Sequence, residues 1–246
     1  MKTFALYNLK GGVGKTSSCV NLAYSAAKEG HKTLIWDMDP QSSSTFYLAK
    51  KSKLKGGLEA IFKKESAMED VIKKTDYDNL FVIPSELKSR DIDLMLEDLK
   101  KPDNRLKKVL AAIKKEFDFV FIDCPPMLTL LTENIFNTAD TVIFPMIPST
   151  LSERTYLQVI DFFEENKYKP KKIVPFFNMV DLRRSLHKET INKFQNGKYN
   201  SLNTVIPNSS LIEKMGLHQS PIGEFSPQSK PAKAYDELWK EIKGLI

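Results

Sequence analysis

Short apolar runs alternate along this chain with longer stretches in which apolar residues recur every three or four positions. Runs such as Thr33–Asp37 (TLIWD) and Phe119–Asp123 (FVFID) are almost continuously apolar until they reach an acidic residue. Runs of this kind are typical of strands that are buried on both faces of a parallel sheet. Four further runs predict strands of the same type: Thr3–Asn8, Leu80–Ile83, Thr141–Phe144 and Ile173–Phe177.

The stretches with the longer spacing predict the helices that connect these strands. Thr16–Glu29 is followed by Gly30, and glycine commonly terminates helices. The other predicted helices are Arg105–Lys115, Leu151–Glu165 and Ala232–Ile246. Because strands and helices alternate, we predict an α/β fold with a mostly parallel twisted sheet and helices on both faces. We expect the whole chain, 1–246, to form a single domain.

Composition excludes several classes of protein. The 246 residues include 37 Lys and Arg against 31 Asp and Glu, a formal net charge of +6, which permits contact with DNA but does not demonstrate it. No run of about 18 apolar residues is present, so no membrane-spanning helix is expected. The two Cys and three His are too few and too scattered for a disulfide scaffold or a zinc site, and they favour a reducing cytoplasm. The lysine-rich segment Lys50–Lys64 is expected to be a solvated surface.

A glycine-rich loop follows the first predicted strand and opens the first predicted helix. It reads KGGVGKT over Lys10–Thr16. Glycines let backbone N–H groups surround phosphates, and the helix adds the positive end of its dipole. We expect Lys15 to reach the β- and γ-phosphates of a nucleotide, and the Thr16 hydroxyl to coordinate Mg²⁺. The predicted nucleotide-binding residues here are Lys10, Gly11, Gly12, Val13, Gly14, Lys15, Thr16 and Ser17.

Three aspartates follow predicted strands and are candidates for the same site. Asp123 ends its strand, so its carboxylate is expected at the carboxyl edge of the sheet, where it would hold Mg²⁺ through water. Asp37 and Asp39 lie two positions apart, so they face the same side in extended geometry. Either of these two could instead cap the helix that follows.

These motifs resemble the ParA/Soj branch of the deviant Walker-A ATPases, a group of P-loop NTPases whose loop reads K-G-G-x-G-K-T. The likeness spans nearly the whole chain. It includes the D-x-D-P-Q motif within Leu34–Thr45, the Walker-B motif within Phe121–Pro126 (FIDCPP), and Phe177–Arg183 (FNMVDLR). Thr204–Pro207 and the segment from Ser220 to Lys230 resemble the C-terminal section of the family.

The resemblance implies roles for individual residues. Asp39 matches the family's water-positioning residue, while Asp37 would support the loop or the metal shell. Lys10 matches a lysine that crosses to the phosphates of a partner subunit in an ATP-sandwiched homodimer. Lys10, Lys15 and Asp39 are therefore the predicted catalytic residues, and ATP and Mg²⁺ the predicted cofactors. Candidate adenine contacts are Asn178, Met179 and Pro207.

The resemblance also implies a function, namely plasmid or chromosome partition by a slow ATPase. The ATP-bound dimer would bind DNA without sequence preference, and a ParB-like centromere-binding partner would stimulate hydrolysis and release. The expected location is cytoplasmic and nucleoid-associated. The first strand begins at Thr3, so no N-terminal helix-turn-helix domain is expected.

The chain departs from the family at the expected DNA surface. Soj-like proteins read I-P-R-N-V-R where this chain reads IPNSSL over Ile206–Leu211, so arginine is missing at positions 208 and 211. Other cations would then have to contact DNA phosphates. The candidates are Arg183, Arg184, Lys188, Lys214, Lys230 and Lys233.

Two other functions remain open from the sequence. A MinD-like membrane-cycling ATPase would use a C-terminal amphipathic helix, and Tyr235–Ile246 is amphipathic, although acidic residues offset its lysines. A relative that positions another cargo, such as a protein cluster, would differ in its gene neighbourhood. An iron–sulfur reductase is not expected, because Cys19 and Cys124 do not form a suitable pair. No stable membrane association is expected.

Overall fold

The structure is a computed structural model that describes residues 1–49, 61–62, 68–85, 92–98, 104–197, 199 and 201–245. Within these residues seven strands form one sheet, in the order β3-β4-β2-β5-β1-β6-β7. All neighbouring pairs are parallel except β3 and β4, which are antiparallel. The strands are β1 (Lys2–Leu6), β2 (Thr33–Asp37), β3 (Lys73–Lys74), β4 (Leu80–Ile83), β5 (Phe119–Asp123), β6 (Thr141–Met146) and β7 (Ile173–Phe177).

Helices connect the strands on both sides of the sheet. Those that precede β6 are α1 (Lys15–Lys28), α2 (Ser43–Leu48), α3 (Met68–Val71), α4 (Ile92–Glu97), α5 (Arg105–Ala112) and α6 (Leu130–Thr138). Those that follow β6 are α7 (Thr150–Glu165), α8 (Ser185–Gln195), α9 (Ser210–Glu213), α10 (Met215–His218), α11 (Ile222–Phe225) and α12 (Lys230–Lys243). A short 3₁₀ turn at Pro170–Lys172 precedes β7.

Each central strand contributes side chains to two separate apolar layers. On β2, Leu34 and Trp36 belong to one layer while Ile35 belongs to the other. Successive side chains of a strand point to opposite faces, so a strand covered on both faces needs an unbroken apolar run. This explains why the sequence shows continuous apolar runs instead of strict alternation.

The six strands predicted from the sequence are confirmed, with small changes at their ends. β1 ends at Leu6 instead of Asn8, and β6 continues to Met146. β3 was not predicted, because two lysines carry no apolar signal. The α6 and α8 helices were also missed. The predicted surface segment Lys50–Lys64 lies mostly outside the described residues.

The described part of that lysine-rich segment contradicts the prediction made for it. Ile61 and Phe62 are fully buried, and the Phe62 ring stacks against Trp36 of β2 with centroids 6.1 Å apart. These two residues therefore belong to the core and not to a solvated surface. The burial of an aromatic and a β-branched side chain outweighs the charge of their neighbours in the sequence.

Candidate active site

The glycine-rich loop lies at the carboxyl end of β1, between β5 and β6, and leads directly into α1. Gly12 and Gly14 have φ values of 72° and 85°, a conformation that glycine adopts without strain. A Cβ atom at Gly14 would clash with Nδ2 of Asn178, so this position also lacks room for a side chain. By contrast, a Cβ atom at Gly11 or Gly12 would meet nothing within 4 Å, so the outer side of the loop is open.

Lys15 is held at the centre of this loop. It is only 7% exposed, and its Nζ donates to the carbonyl oxygen of Lys10 at 3.0 Å. Burial lowers the pKa of Lys15, and the nearby carboxylates of Asp123 and Asp39 oppose that shift. The ammonium therefore lies in a partly desolvated position next to two acids.

Asn8 and Asn178 brace the loop from two sides. Nδ2 of Asn8 donates to the carbonyl of Pro145 at 2.8 Å, and its Oδ1 accepts the backbone N–H of Lys10 at 2.8 Å. Nδ2 of Asn178 donates to the carbonyl of Val13 at 2.9 Å. Both asparagine side chains are fully buried, so these bonds are shielded from water.

The three candidate adenine contacts are close together in the fold. Oδ1 of Asn178 accepts the N–H of Met179 at 2.9 Å, and Met179 has a φ of 54°. Val180 then forms an isolated parallel bridge with Pro207. The Asn178 amide is engaged by Val13 and Met179, which makes it a support of the loop in this structure. Met179 and Pro207 are partly exposed beside it.

Asp123 ends β5 at the same edge of the sheet. The register pairs it with Leu6 of β1 on one side and with Asp37 of β2 on the other. Its Oδ2 accepts the Ser44 hydroxyl at 2.7 Å, whereas its buried Oδ1 has no hydrogen-bond partner among the described residues. Burial raises the pKa of Asp123, and the hydroxyls of Ser44 and Thr16 partly offset this effect.

Asp37 is fully buried and both of its oxygens are occupied. Oδ2 accepts the N–H of Thr45 at 2.8 Å and its hydroxyl at 2.7 Å, and Oδ1 accepts the N–H of Asp39 at 3.2 Å. Burial, followed by the charge of Asp123, raises the pKa of Asp37. These bonds favour the supporting role that the sequence suggested for Asp37 over a place in the metal shell.

Asp39 lies in the turn between β2 and α2. It is 9% exposed, and its Oδ1 accepts the N–H of Gln41 at 2.9 Å. The residue that precedes α2 is Ser42, so Asp39 is not the helix cap that the sequence left as an alternative. Its charge acts on both Lys15 and Asp123, so Asp39 lies near both of these side chains.

The residues present suit a magnesium ion that is held largely by hydroxyl groups, phosphates and water. Among the described residues, no group of three or more His, Cys, Asp or Glu side chains could hold a metal ion. The free Oδ1 of Asp123 offers one acceptor, and the Thr16 hydroxyl lies close enough to lower the pKa of that carboxyl. Mg²⁺ commonly binds to one or two protein oxygens together with substrate phosphates and water.

Comparison with known proteins identifies the family. The AAA domain family matches residues 1–174. The chain is 31% identical over 250 residues to the sporulation initiation inhibitor protein Soj of Bacillus subtilis, with 98% of each chain covered. It is 32% identical over 248 residues to the chromosome-partitioning ATPase Soj of Treponema pallidum, covering 98% of this chain and 96% of that one. This chain belongs to the ParA/Soj family of partition ATPases.

Solved structures agree with the fold of this ParA/Soj chain. A plasmid partition protein from Borrelia burgdorferi superposes with a TM-score of 0.79 at 24% identity, over 100% of this chain and 99% of that one. Cobyrinic acid a,c-diamide synthase from Mycobacterium smegmatis superposes with a TM-score of 0.81 at 23% identity, over 98% and 94%. The latter structure contains a bound ATP analogue and magnesium. The predicted fold class is thereby confirmed.

The candidate DNA-binding cations of the ParA/Soj chain are all exposed, but they lie on several elements. Arg183, Arg184 and Lys188 surround the start of α8. Arg183 forms a two-pronged ion pair with Asp181, at 2.9 Å from Nε and 2.8 Å from Nη2. Lys214 lies between α9 and α10, and Lys230 and Lys233 lie in the first turn of α12. Because of this ion pair, Arg183 is less available for contact with DNA phosphates than the other five candidate residues.

The C-terminal helix α12 of this ParA/Soj chain has its apolar face packed against the sheet. Tyr235, Leu238, Trp239 and Ile242 are buried, and the Trp239 ring meets Phe119 edge-on with centroids 4.9 Å apart. An interfacial membrane helix needs a free apolar face, which α12 does not offer in this structure. In addition, no helix of the described residues is long and apolar enough to cross a bilayer.

Sequence reasoning missed three side chains that organise the site: Asn8, Ser44 and Thr45. The two hydroxyl residues lie within the quoted D-x-D-P-Q segment, but nothing in the sequence showed that Ser44 would bind Asp123 and Thr45 would bind Asp37. Asn8 carried a usable signal. The side-chain oxygen of an asparagine at the start of a turn commonly accepts the backbone N–H of the residue two positions later.

Proposed function

We propose that this chain is a Mg²⁺-dependent ATP hydrolase that segregates plasmid or chromosome copies. Its ATP-bound homodimer would bind DNA without sequence preference, and a ParB-like centromere-binding protein would stimulate hydrolysis and release the dimer from DNA. The observation that carries this proposal is the loop at the end of β1, in which the buried Lys15 ammonium faces the acids Asp39 and Asp123. Similarity to the chromosome-partitioning ATPase Soj of Treponema pallidum supports the partition role.

In this proposal the loop binds the triphosphate of ATP. The backbone N–H groups of Gly11, Gly12, Val13 and Gly14 surround the phosphates. Lys15 supplies the positive charge that the β- and γ-phosphates need. Thr16 and Ser17 add hydroxyl groups at the start of α1, while Met179 and Pro207 flank the adenine and Asn178 supports the loop beside them.

Two side chains would hold the magnesium ion, Thr16 directly and Asp123 through water. The ion, when bound, neutralises charge that develops on the phosphate oxygens. Asp123 is suited to this role because Ser44 fixes its Oδ2 and leaves Oδ1 free. Asp37 acts at a distance, since it holds Thr45 and the N–H of Asp39 in place.

Asp39 is the residue that we propose positions the attacking water. Its Oδ2 is not used in the turn, where Oδ1 accepts the Gln41 N–H. A carboxylate near Lys15 can orient a water molecule for in-line attack on the γ-phosphate. Phosphoryl transfer depends mainly on positioning and charge stabilisation, so a poorly placed water would explain slow turnover before a partner acts.

Lys10 would act on the partner subunit in the homodimer. Among the described residues its ammonium has no hydrogen-bond or ion-pair partner, whereas its carbonyl oxygen holds Lys15. A second cation that arrives from a neighbouring subunit resembles an arginine finger, which can accelerate phosphoryl transfer by about 10³–10⁵-fold. The site is incomplete without the second copy.

DNA contact in the proposed dimer would use cations outside the ATP site. Arg184, Lys188, Lys214, Lys230 and Lys233 are exposed, and Arg183 would have to leave Asp181. Contacts of this kind are made to phosphates and carry no sequence information. Because the dimer would bind DNA of any sequence, its proposed location is the cytoplasm, in association with the nucleoid. We also propose that the whole chain, 1–246, forms a single domain.

Sedimentation with ADP or ATP, with and without duplex DNA or liposomes, tests this function. We expect a monomer with ADP, a dimer with ATP and Mg²⁺, and co-sedimentation of that dimer with DNA of any sequence. Co-sedimentation with liposomes instead of DNA would favour a membrane-cycling ATPase. A monomer under all conditions would contradict the proposal.

A further inference from the structure

We propose that Asn8 is a positioning residue that fixes the backbone of Lys10, so that the Lys10 side chain is presented to a second copy of this chain. The inference rests on the role of Lys10 proposed above. The family's loop motif begins at Lys10 and does not include Asn8. Three observations support it. The hydrogen-bond ladder between β1 and β6 changes at Asn8, the Asn8 amide makes two hydrogen bonds, and Lys15 is buried whereas Lys10 is partly exposed.

The β1–β6 ladder changes at Asn8. Tyr7 donates its N–H to the carbonyl of Ile143 at 3.1 Å, so the next backbone donor of a regular parallel ladder would be residue 9, bonded to residue 145. Instead, Nδ2 of Asn8 donates to the carbonyl of Pro145 at 2.8 Å. The asparagine side chain therefore replaces a strand hydrogen bond, and the main chain is free to leave the sheet.

The other end of the Asn8 amide holds the first residue of the loop. Oδ1 accepts the N–H of Lys10 at 2.8 Å, a bond from residue i to i+2 that defines a turn. The side chain is fully buried, so water does not compete for either bond. One amide thus ties Lys10 to β6, an interior strand of the sheet.

The consequence is that both backbone polar groups of Lys10 are engaged. Its N–H is bound by Asn8, and its carbonyl oxygen accepts the Lys15 ammonium at 3.0 Å. Lys15 is buried inside the loop, whereas Lys10 is partly exposed and its ammonium has no partner among the described residues. A fixed backbone lowers the entropy cost when the Lys10 side chain binds another molecule.

A double-mutant cycle with Lys10 tests this inference. Asn8→Ala, Lys10→Ala and the double variant are compared with the wild type for ATP affinity, ATP-dependent dimerisation and turnover. We expect Asn8→Ala to leave ATP affinity within about threefold and to lower dimerisation and turnover by about 10-fold to 100-fold. We expect no further loss when Asn8→Ala is added to Lys10→Ala, because the two changes remove one interaction.

Asn8→Ser serves as the conservative variant. Its hydroxyl can still accept the N–H of Lys10 but does not reach Pro145, so it should recover part of the dimerisation lost in Asn8→Ala. If Asn8→Ala does not fold, as judged by its thermal unfolding, the same cycle is carried out with Asn8→Ser. An absence of recovery in a folded Asn8→Ser protein would count against the turn as the cause.

The possible failures are distinguishable. Loss of ATP affinity in Asn8→Ala, or additive losses in the double variant, would show that Asn8 serves the loop as a whole and would overturn the inference. If Asn8→Ala dimerises normally while Lys10→Ala does not, the inference about Asn8 is overturned but the proposed function stands. Normal dimerisation and turnover in Lys10→Ala would remove the role of Lys10 in the partner's site, and the inference with it.

Discussion

At the residue scale, two lysines of one loop are placed in different environments. Lys15 is buried and bonded to the Lys10 carbonyl, with Asp39 and Asp123 near its charge. Lys10 is partly exposed, and its backbone is held by Asn8. A desolvated ammonium inside a loop of glycines is suited to a phosphate, and a second, exposed ammonium is suited to a ligand that arrives from outside.

Replacement of Lys15 by alanine should abolish nucleotide binding. The phosphates would lose a buried counter-charge, so we expect ATP affinity to fall by about 100-fold or more. Isothermal titration calorimetry with ATP and Mg²⁺ measures this directly. Lys28→Ala, at an exposed position at the end of the same helix, is the matched control and should bind ATP normally. Unchanged affinity in Lys15→Ala would contradict the assignment of the loop.

Replacement of Asp39 by alanine should separate binding from hydrolysis. The loop, Lys15 and Asp123 remain intact, so ATP binding and dimerisation are expected to persist while turnover stops. Phosphate release and sedimentation, measured on the same sample, check both parts. The outcome that would contradict this role is turnover close to that of the wild type.

The residues of the site were predictable from the sequence to different degrees. The loop was identified because glycine and lysine at fixed spacing directly follow a strand. The hydrogen-bond partners of Asp37 and Asp123 were not predicted, because they depend on how β2 and β5 pair these two acids in the folded sheet. In the fold, Ser44 binds one of these carboxylates and Thr45 binds the other.

At the element scale, α2 is tied to the sheet edge through two buried acids. Ser44 bonds to Asp123 and Thr45 bonds to Asp37, while the hydroxyl oxygen of Thr45 also accepts the N–H of Ser85 beyond β4. The turn that carries Asp39 immediately precedes this helix. The position of Asp39 relative to the loop therefore depends on contacts made by α2.

These buried acids predict a pH-dependent stability in the absence of nucleotide and Mg²⁺. Burial raises the pKa of Asp37 and of Asp123 in the folded state, so the native protein binds more protons than the unfolded chain. The free energy of unfolding should then fall as the pH rises from about 5 to about 8.

Urea unfolding at several pH values measures this dependence. Asp123→Asn removes one of the two facing charges and should flatten the curve. A free energy of unfolding that rises over this pH range in the wild type would contradict the account.

The α12 helix is expected to be a structural element of the core. Trp239 is fully buried against Phe119, so Trp239→Ala should lower the free energy of unfolding by about 3–5 kcal/mol. Leu245→Ala, where the leucine is 49% exposed near the end of the chain, is the control and should change it by about 0.5 kcal/mol or less. Equal, small effects in both variants would show that α12 is not needed for the packed fold.

At the scale of the whole molecule, the exposed candidate cations lie on elements outside the glycine-rich loop. The loop follows β1 at the carboxyl edge of the sheet, whereas Lys214 lies between α9 and α10, and Lys230 and Lys233 lie in the first turn of α12. The family's usual arginines are absent at positions 208 and 211, and the described cations are spread over several elements. DNA binding by this chain would therefore be the sum of many weak phosphate contacts.

Such contacts predict a steep dependence of DNA retention on salt. For six phosphate contacts, we expect the affinity of the ATP-bound dimer to fall by about 10³-fold between roughly 50 and 200 mM salt. Fluorescence anisotropy with two unrelated duplexes checks both the slope and the lack of sequence preference. A flat response to salt would exclude phosphate contacts as the source of binding.

In the proposed homodimer each active site combines Lys15 and Asp39 of one subunit with Lys10 of the other. Mixing two inactive variants tests this arrangement. Lys10→Ala and Asp39→Ala are each expected to lack turnover alone. In a heterodimer, the subunit with Lys10→Ala keeps its own Asp39 and receives Lys10 from its partner. An equal mixture should therefore recover turnover at up to about a quarter of the sites, given random pairing. If Lys10 instead serves its own subunit, the mixture will remain as inactive as its components.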